Sequence, residues 1–188
     1  SNCQEFEVPE ELCSSLLKDF ASDQSKALKE FWAKIIACSV AGIHVCLVGP
    51  AELEKARMAV TFSDDTSKAQ GRDSDSYQLL SFNKELLTND VFGTFWTNNF
   101  TIKLSKGPLY NAIEKGLVFV ADTINLAEDD VIQSLAVALE QSSGSKIALP
   151  GLGKSVLFHK KFLFIACQDS GENKLPQNIA KKLRTFEY

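Results

Sequence analysis

Short apolar runs alternate along the chain with amphipathic segments, and this pattern predicts a parallel sheet covered by helices on both faces. The apolar runs predict strands at residues 44–48, 77–82, 117–121, 161–167 and 185–188. Apolar residues at helical spacing predict helices at residues 10–20, 25–39, 52–60, 128–141 and 176–182. The order of these elements is typical of an α/β domain.

Three connecting segments differ from this pattern. Residues 63–76 are polar and rich in aspartate, which predicts a mobile surface loop. Residues 145–158 predict a hairpin centred on Pro150 and Gly151. An insertion between the second and third strands carries aromatic residues, for which we expect core packing rather than a partner-binding patch. These aromatic residues are Phe92, Phe95, Trp96 and Phe100.

Composition limits the classes of partner. The 188 residues are 45% hydrophobic, enough for one domain with a sizeable core. The net charge of −4 offers no basic surface for nucleic acid, and no apolar run approaches membrane length, so neither partner is expected. Residues 1–24 are interpreted as a protease scar followed by a helix, and residues 25–188 as the α/β domain. Five cysteines without metal-ligand spacing predict free thiols in an intracellular compartment and no structural metal.

The turn after the first strand is a candidate phosphate-binding loop. Such a loop needs a glycine-rich turn, a lysine for the terminal phosphates and a hydroxyl for Mg²⁺. In the sequence GPAELEKA, residues 49–56, Gly49 and Lys55 have the required separation. Glu54 replaces the glycine before the lysine, and Ala56 replaces the hydroxyl residue. These two replacements predict a poor nucleotide site, and an ordinary strand–turn–helix is the alternative interpretation.

Two other sequence features bear on nucleotide chemistry. The sequence ALPGLGKS, residues 148–155, resembles a phosphate loop, but a strand-like segment follows it where a helix is required. We therefore expect Lys154 and Ser155 to be exposed hairpin residues. The third strand ends in Asp122, where an acid can hold Mg²⁺, but the next residue is Thr123 and not a carboxylate. Threonine cannot act as a general base at neutral pH.

The order of these motifs resembles the large subdomain of an AAA+ ATPase of the dynein/midasin-like branch, over about residues 25–188. The matching segments are TNDVFG at residues 88–93, GPLYNAIEKG at 107–116, DTINLA at 122–127 and LP at 175–176. The resemblance implies a three-layer fold like that of P-loop nucleotide hydrolases, with a five-stranded parallel sheet in the order 5-1-4-3-2. It also implies that the helical lid which normally follows is absent.

The resemblance further implies an ATP and Mg²⁺ site, which this sequence alters. Thr123 stands at the catalytic glutamate, so no catalytic residue is assigned, and Asp122 is the magnesium candidate. Asp169 aligns with the sensor position, usually asparagine, and the arginine finger aligns with Arg184 or Lys182. We expect Lys55 and Asp122 to form an ion pair in place of the nucleotide. The residues expected to line this vestigial ATP pocket are Gly49, Pro50, Lys55, Ala56, Asp122, Asn125 and Asp169.

Two functional hypotheses follow from the resemblance. The first is a structural or regulatory module in the ring of a large midasin- or dynein-like ATPase, in contact with neighbouring AAA+ modules and poor at ATP hydrolysis. The second is a nucleotide-binding or active module whose site is completed by its neighbours. An unrelated α/β binding domain is a remote alternative. A midasin-like parent would be nuclear and a dynein-like parent cytoplasmic.

Overall fold

A central parallel sheet organises the chain, for which a computed structural model describes residues 26–69, 76–141, 144–171 and 174–187. The strands are β1 (His44–Gly49), β2 (Tyr77–Ser81), β3 (Gly93–Asn98), β4 (Thr101–Lys106), β5 (Val118–Asp122), β6 (Lys146–Ala148), β7 (Ser155–Leu157), β8 (Leu163–Asp169) and β9 (Leu183–Glu187). The helices are α1 (Lys26–Val40), α2 (Lys55–Ala69), α3 (Thr88–Phe92), α4 (Pro108–Lys115), α5 (Asp129–Ala138) and α6 (Gln177–Ala180). Short 3₁₀ turns cover Ala51–Leu53 and Ile124–Leu126.

The sheet has the order β2-β5-β8-β1-β9, and every neighbouring pair is parallel. Counted among the sheet strands alone, this is the predicted order 5-1-4-3-2 read from one edge. The fourth sheet strand, β8, extends to Asp169, two residues beyond the predicted end. The predicted α/β fold class is confirmed, while the scar and the helix predicted at residues 10–20 lie outside the described residues.

Apolar side chains cover both faces of the sheet. On one face, α1 and α2 contribute Trp32 and Phe62, whose rings stack with centroids 5.1 Å apart. On the other face, α4 and α5 pack over Phe119 and Phe164, whose rings stack at 5.4 Å. Burial of each such side chain contributes roughly 1.5–3 kcal/mol. The two apolar layers explain why the central strands β1, β5 and β8 are nearly continuous apolar runs without alternation.

Helix α2 corrects two sequence predictions. It begins at Lys55 rather than at residue 52, because a 3₁₀ turn and Glu54 precede it. It also continues to Ala69, so the first half of the predicted mobile loop is helical. The hydroxyls of Ser63 and Thr66 donate to the Ala59 and Phe62 carbonyls at 2.7 and 2.8 Å. Because these hydroxyls are satisfied within the helix, polar composition alone wrongly indicated a loop.

Strands β3 and β4 form an antiparallel hairpin between α3 and α4, which the sequence interpretation described only as an insertion. Glycines fix its base. A Cβ added to Gly93 would lie 2.3 Å from the Ser105 carbonyl oxygen, and one added to Gly107 would lie 2.4 Å from the Val91 carbonyl oxygen. Gly93 also has a φ of 112°, which favours glycine. The entering and leaving backbones therefore cross in direct contact at this point.

The other matched motif residues support the helices beside this hairpin. The Asp90 carboxylate accepts a hydrogen bond from the Leu87 backbone N–H at 2.8 Å and so satisfies a donor at the start of α3. Pro108 begins α4, where its fixed φ suits the first turn. Gly116 ends α4 with a φ of 70°, and a Cβ there would lie 2.1 Å from the His159 ring. These residues therefore have structural roles that do not involve a nucleotide.

The aromatic residues of the insertion divide between core and surface. Phe92 is fully buried, as expected, but Phe95, Trp96 and Phe100 are exposed, so the expectation of core packing is wrong for these three. They belong to a two-stranded hairpin that stands off the domain, and Leu104 is its partly buried contact with the core. The hairpin predicted at residues 145–158 is confirmed as β6 and β7. Among the described helices, none combines the length and apolar character that a membrane span requires.

Candidate nucleotide site

The predicted site residues meet at the carboxyl edge of the sheet. Gly49 ends β1, Asp122 ends β5 and Asp169 ends β8, and the Cα atoms of Gly49 and Asp169 are register partners. Burial raises the pKa of the Cys167 thiol, with further rises from Asp122 and Asp169 and a partly opposing effect from Lys55. The fold therefore gathers these charges around one strand end, where ligands bind in open α/β sheets.

The Lys55 side chain is held by oxygen atoms of its own chain. It is only 5% exposed, although it is a lysine at the start of a helix. Its ammonium donates to the Gly49 and Pro50 carbonyl oxygens, both at 2.9 Å, and to the Asp169 carboxylate at 2.8 Å. An ammonium has three N–H donors, so these three acceptors match its full hydrogen-bonding capacity.

Lys55 forms an ion pair, as predicted, but the prediction that its partner is Asp122 is wrong. Lys55 pairs with Asp169, whereas Asp122 accepts a long hydrogen bond of 3.5 Å from the Ser81 hydroxyl. Both acids lie at strand ends, but β8 is the direct neighbour of β1 and β5 lies one strand farther away. The shorter separation explains why Asp169 contacts the loop that follows β1.

Glu54 has a backbone conformation that ordinarily favours glycine. Its φ and ψ are 45° and 47°, in the left-handed region, which costs roughly 1–2 kcal/mol for a residue with a Cβ. Its carboxylate does not point into the loop. It lies at the surface and pairs with the Arg57 guanidinium at 3.1 Å. The backbone turn of a phosphate loop is thus retained without the glycine.

Ala56 has no polar side-chain atom to offer a metal ion at the next position of the loop. It is half-buried and packs against the apolar layer beneath α1 and α2. Its methyl group therefore serves the core. The loop residues predicted from the sequence do lie together, but Lys55 and Ala56 face the protein rather than a ligand.

Thr123 also has a left-handed conformation, with a φ of 49°. Its hydroxyl lies 3.0 Å from the Phe82 carbonyl oxygen and 2.8 Å from the Asp122 carbonyl oxygen, and both are acceptors. The hydroxyl therefore serves the backbone at the ends of β2 and β5. Asn125 follows in the 3₁₀ turn, and its side-chain oxygen is buried without a hydrogen-bond donor among the described residues.

The remaining candidates lie outside this cluster. Lys154 lies over the Phe95 ring, 5.8 Å from the centroid, and Ser155 begins β7, so the second glycine-rich sequence precedes a strand as expected. Arg184 is exposed on β9. Lys182 pairs with Glu140 at 3.5 Å. Among the described residues, neither arginine-finger candidate forms an ion pair with Asp122 or Asp169. Arg184 lies in β9, and Lys182 directly precedes that strand.

A cavity of about 420 Å³ opens beside Asp169 at the carboxyl ends of β8, β1 and β9. Its wall includes the carboxylates of Asp169 and Glu187. Among the described residues, Lys174 is the cation that lines it. Two acids against one base repel an anionic ligand. Elsewhere in the described ranges, no three histidine, cysteine or acidic side chains are grouped as metal ligands.

Comparison with known proteins identifies the family. Residues 44–184 match the family model of the AAA domain, dynein-related subfamily. The chain belongs to this family. A solved structure from Cytophaga hutchinsonii ATCC 33406, provisionally described as an ATPase, is similar in fold with a TM-score of 0.63 and 15% identity. The alignment covers 95% of this chain and 50% of that one, so the chain spans about half the length of that protein.

AAA domains generally bind ATP with Mg²⁺. The residues at the carboxyl edge of this sheet do not fit ATP with Mg²⁺. The Lys55 ammonium is already satisfied by three protein oxygens, and a phosphate would have to replace the Asp169 carboxylate. Ala56 lacks the hydroxyl that the loop normally offers to Mg²⁺. The altered residues are visible in the sequence, but no sequence pattern indicates that the loop carbonyl oxygens accept hydrogen bonds from Lys55.

Proposed function

We propose that this module acts through protein contacts, as a structural or regulatory member of a larger AAA assembly, and not by hydrolysing ATP. The observation that carries the proposal is the internal set of hydrogen bonds around Lys55. The lysine that would bind the terminal phosphates bonds instead to Asp169 and to two carbonyls of its own loop. The module can therefore hold its loop in shape without a ligand.

Charge at the same edge supports this proposal. Asp122, Asp169 and Glu187 lie at the carboxyl ends of three strands of the sheet. An unscreened like charge a few ångströms from a phosphate costs roughly 1–4 kcal/mol, depending on the effective dielectric. Micromolar affinity corresponds to about 8 kcal/mol in total. A few such carboxylates would remove a large share of that binding energy.

We further propose that the parent is a large ATPase of the midasin- or dynein-like kind, in which neighbouring AAA modules are the partners. The match to the dynein-related subfamily supports this proposal. A midasin-like parent would place the module in the nucleus, and a dynein-like parent in the cytoplasm. Imaging of the tagged full-length protein distinguishes these two locations.

A nucleotide-binding module completed by its neighbours is the second candidate. The position of Asp122 favours it. This acid lies at the end of β5, where a magnesium ligand is expected, and its carboxylate accepts a long hydrogen bond from Ser81. The left-handed turn at Glu54 also keeps the outline of the loop. In this case a neighbouring module would have to supply the acid or base that Thr123 cannot provide.

Calorimetric titration with ATP and Mg²⁺ tests the proposal. We expect no heat and no thermal stabilisation of the wild-type protein at millimolar nucleotide. Asp169→Asn should release Lys55 and give a measurable binding heat at millimolar nucleotide, where the wild type gives none. Glu187→Gln is the charge-matched control, because Glu187 lies at the same edge but does not bond to Lys55, and it should change binding far less. Micromolar binding by the wild type would contradict the proposal and favour the second candidate.

A further inference from the structure

The end of the β3–β4 hairpin exposes large apolar side chains that a folded domain would ordinarily cover. Phe100 is fully exposed, Ile102 is 70% exposed and Trp96 is 45% exposed. We call these three residues and Lys103 the hairpin tip. Exposed apolar side chains grouped on one short element are typical of interaction sites. The arrangement of the four residues indicates which kind of partner can cover them.

The tip residues do not lie on one surface of the hairpin. Trp96 is paired directly with Lys103, whereas Ile102 is paired with Thr97. Because successive side chains of a strand point to opposite faces, Trp96 and Lys103 lie on one face and Ile102 lies on the other. Phe100 lies in the turn beyond the last pair. A flat protein surface covers only one of these faces, whereas a medium that surrounds the end of the hairpin covers both.

The pairing register also orders the tip residues by their distance from the end of the hairpin. Phe100 lies in the turn, and Ile102 belongs to the second pair from it. Trp96 and Lys103 form the third pair, about 7 Å behind the first pair at about 3.4 Å per residue. Interfacial protein segments enter a membrane to a similar depth, roughly 5–10 Å. An apolar end followed by an indole ring and a lysine suits this interface, where both side chains are favoured.

The charge of the hairpin favours an anionic membrane surface. Residues 91–113 contain two lysines and no acidic residue, although the whole chain has a net charge of −4. Lys106 pairs with Glu114 at 2.6 Å, so Lys103 is the cation at the tip. The Lys103 ammonium lies over the Trp96 ring, 5.5 Å from its centroid. The ammonium and the indole ring therefore lie at one level of the hairpin, where an anionic headgroup can contact both.

The turn presents a phenylalanine where glycine is ordinarily favoured. Asn99 and Phe100 both have positive φ, at 45° and 63°. Two-residue turns of this kind strongly favour Asn-Gly, because the second residue must be left-handed. The Phe100 ring is fully exposed, so burial within the domain does not offset the strain of its Cβ. Burial of the ring in a membrane interface would offset it.

The base of the hairpin holds the tip in a fixed position. The contact between Gly93 and Gly107 leaves no space even for a methyl group, and the Gly107 N–H donates to the Phe92 carbonyl at 3.1 Å. Phe92 and Val91 beside this contact are fully buried. A tip that is already ordered loses little conformational entropy when it binds.

We infer that the hairpin tip inserts end-on into the headgroup region of a membrane that contains anionic phospholipids. Phe100 enters first, and Ile102 and Trp96 follow on opposite faces of the hairpin. Lys103 contacts the anionic headgroups. The two asparagines of the turn are polar, so the insertion ends among the headgroups and does not reach the hydrocarbon. This contact needs neither a membrane-spanning segment nor a basic chain, and it goes beyond the proposed protein-contact role.

Trp96 supplies the signal for a test with lipid vesicles. The chain has two tryptophans, and the other, Trp32, is 3% exposed and stacked on Phe62. A fluorescence change caused by vesicles therefore reports on Trp96. The 188-residue chain is titrated with vesicles of phosphatidylcholine and with vesicles of a three-to-one mixture of phosphatidylcholine and phosphatidylserine. We expect a blue shift and saturable binding with the mixed vesicles, weakened at least tenfold by high salt.

Substitutions on both faces test the end-on geometry. Phe100→Ser should weaken binding to the mixed vesicles at least tenfold, and Ile102→Ser should weaken it several-fold from the face away from the indole ring. Lys103→Gln should remove most of the preference for the mixed vesicles. Val40→Ser and Lys34→Gln are the matched controls, because both residues are exposed on α1, which covers the opposite face of the sheet. Both controls should bind like the wild type.

Three results would overturn the inference. The first is a wild type that shows no blue shift and no co-sedimentation with the mixed vesicles at millimolar lipid, which would leave a protein partner for the tip. The second is equal binding to both kinds of vesicle, and the third is unchanged binding by Phe100→Ser and Ile102→Ser. Circular dichroism first verifies that each variant is folded, and Phe100→Gly, which suits the turn, replaces Phe100→Ser if needed. Nucleotide is omitted, so the calorimetric result for ATP neither supports nor overturns this experiment.

Discussion

The loop after β1 and the turn of the β3–β4 hairpin share a backbone conformation but expose different groups. Each places a residue with a side chain in the left-handed region, Glu54 in the loop and Phe100 in the turn. In the loop, the neighbouring cation Lys55 is turned inward and satisfied by protein oxygens. In the turn, an aromatic ring is turned outward and left uncovered. The ammonium of the loop is therefore covered by the protein, whereas the ring of the turn is exposed.

The largest effect should follow from breaking the base of the hairpin. Gly107→Ala places a methyl group 2.4–2.6 Å from the backbone of Val91, Phe92 and Gly93. Because backbone atoms at a buried crossing cannot give way cheaply, we expect the free energy of unfolding to fall by about 3 kcal/mol. Urea denaturation measures this change.

The control for this substitution is Gly171→Ala. Gly171 has no neighbouring atom within 4 Å of an added Cβ and no positive φ. Its replacement should leave the unfolding midpoint within experimental error. A tolerated Gly107→Ala would mean that the hairpin base can adjust, and the hairpin would then not be rigidly anchored.

Acid should weaken the apolar core around the start of β1. His44 begins β1, is buried against the rings of Phe158, Phe162 and Phe164, and accepts a hydrogen bond from the Phe164 N–H at 3.1 Å. Burial lowers its pKa from 6.5 to about 4. Above pH 6.5 the histidine is neutral in both states and has no effect. Between pH 6.5 and 4 only the unfolded chain binds the proton, so stability falls.

The full loss from His44 should amount to about 3 kcal/mol and be complete below pH 4. Thermal or urea denaturation at a series of pH values measures it. His44→Gln keeps a hydrogen-bond acceptor but cannot titrate, so its stability should decline less over this range. Parallel curves for the variant and the wild type would show that His44 does not carry the effect.

The smallest effects on stability should follow from replacing the two left-handed residues with glycine. Glu54→Gly and Phe100→Gly each relieve the strain of a Cβ at positive φ, partly offset by the greater freedom of glycine in the unfolded chain. We expect each to raise stability by about 0.5–1 kcal/mol. Urea denaturation measures both changes, and a fall in stability of either variant would show that its left-handed residue carries no strain that glycine can relieve.

Much of the fold could be predicted from the chain. The apolar runs of β1, β5 and β8 are buried on both faces, and this environment requires continuous hydrophobic sequence. The resemblance to AAA+ domains gave the order of the strands. The predicted helix was shorter than α2, because the polar residues at its end indicated a loop. Composition does not show that the Ser63 and Thr66 hydroxyls donate hydrogen bonds to the preceding turn.

The site was harder to predict than the sheet. The residues at the carboxyl edge were identified individually, but the partner of Lys55 depends on which strand neighbours β1, and both Asp122 and Asp169 end strands. The hairpin was missed as an element, although Thr94–Asn98 and Thr101–Ser105 contain the β-branched and aromatic residues of strands around an Asn-containing turn. Exposure of Phe100 follows from the hairpin standing off the domain, which no local pattern indicates.

The close contact between Gly93 and Gly107 also makes the hairpin a segment that can be exchanged as a unit. The chain leaves the domain and returns to it at a single point, where the two backbones touch. Residues 94–106 are attached to the domain through that junction and through the partly buried Leu104. Two lysines add contacts, because Lys154 lies over Phe95 and Lys106 pairs with Glu114. Hairpins of other lengths and sequences could be spliced in at these two glycines without disturbing the sheet. Related modules could in this way acquire different binding specificities on one unchanged scaffold.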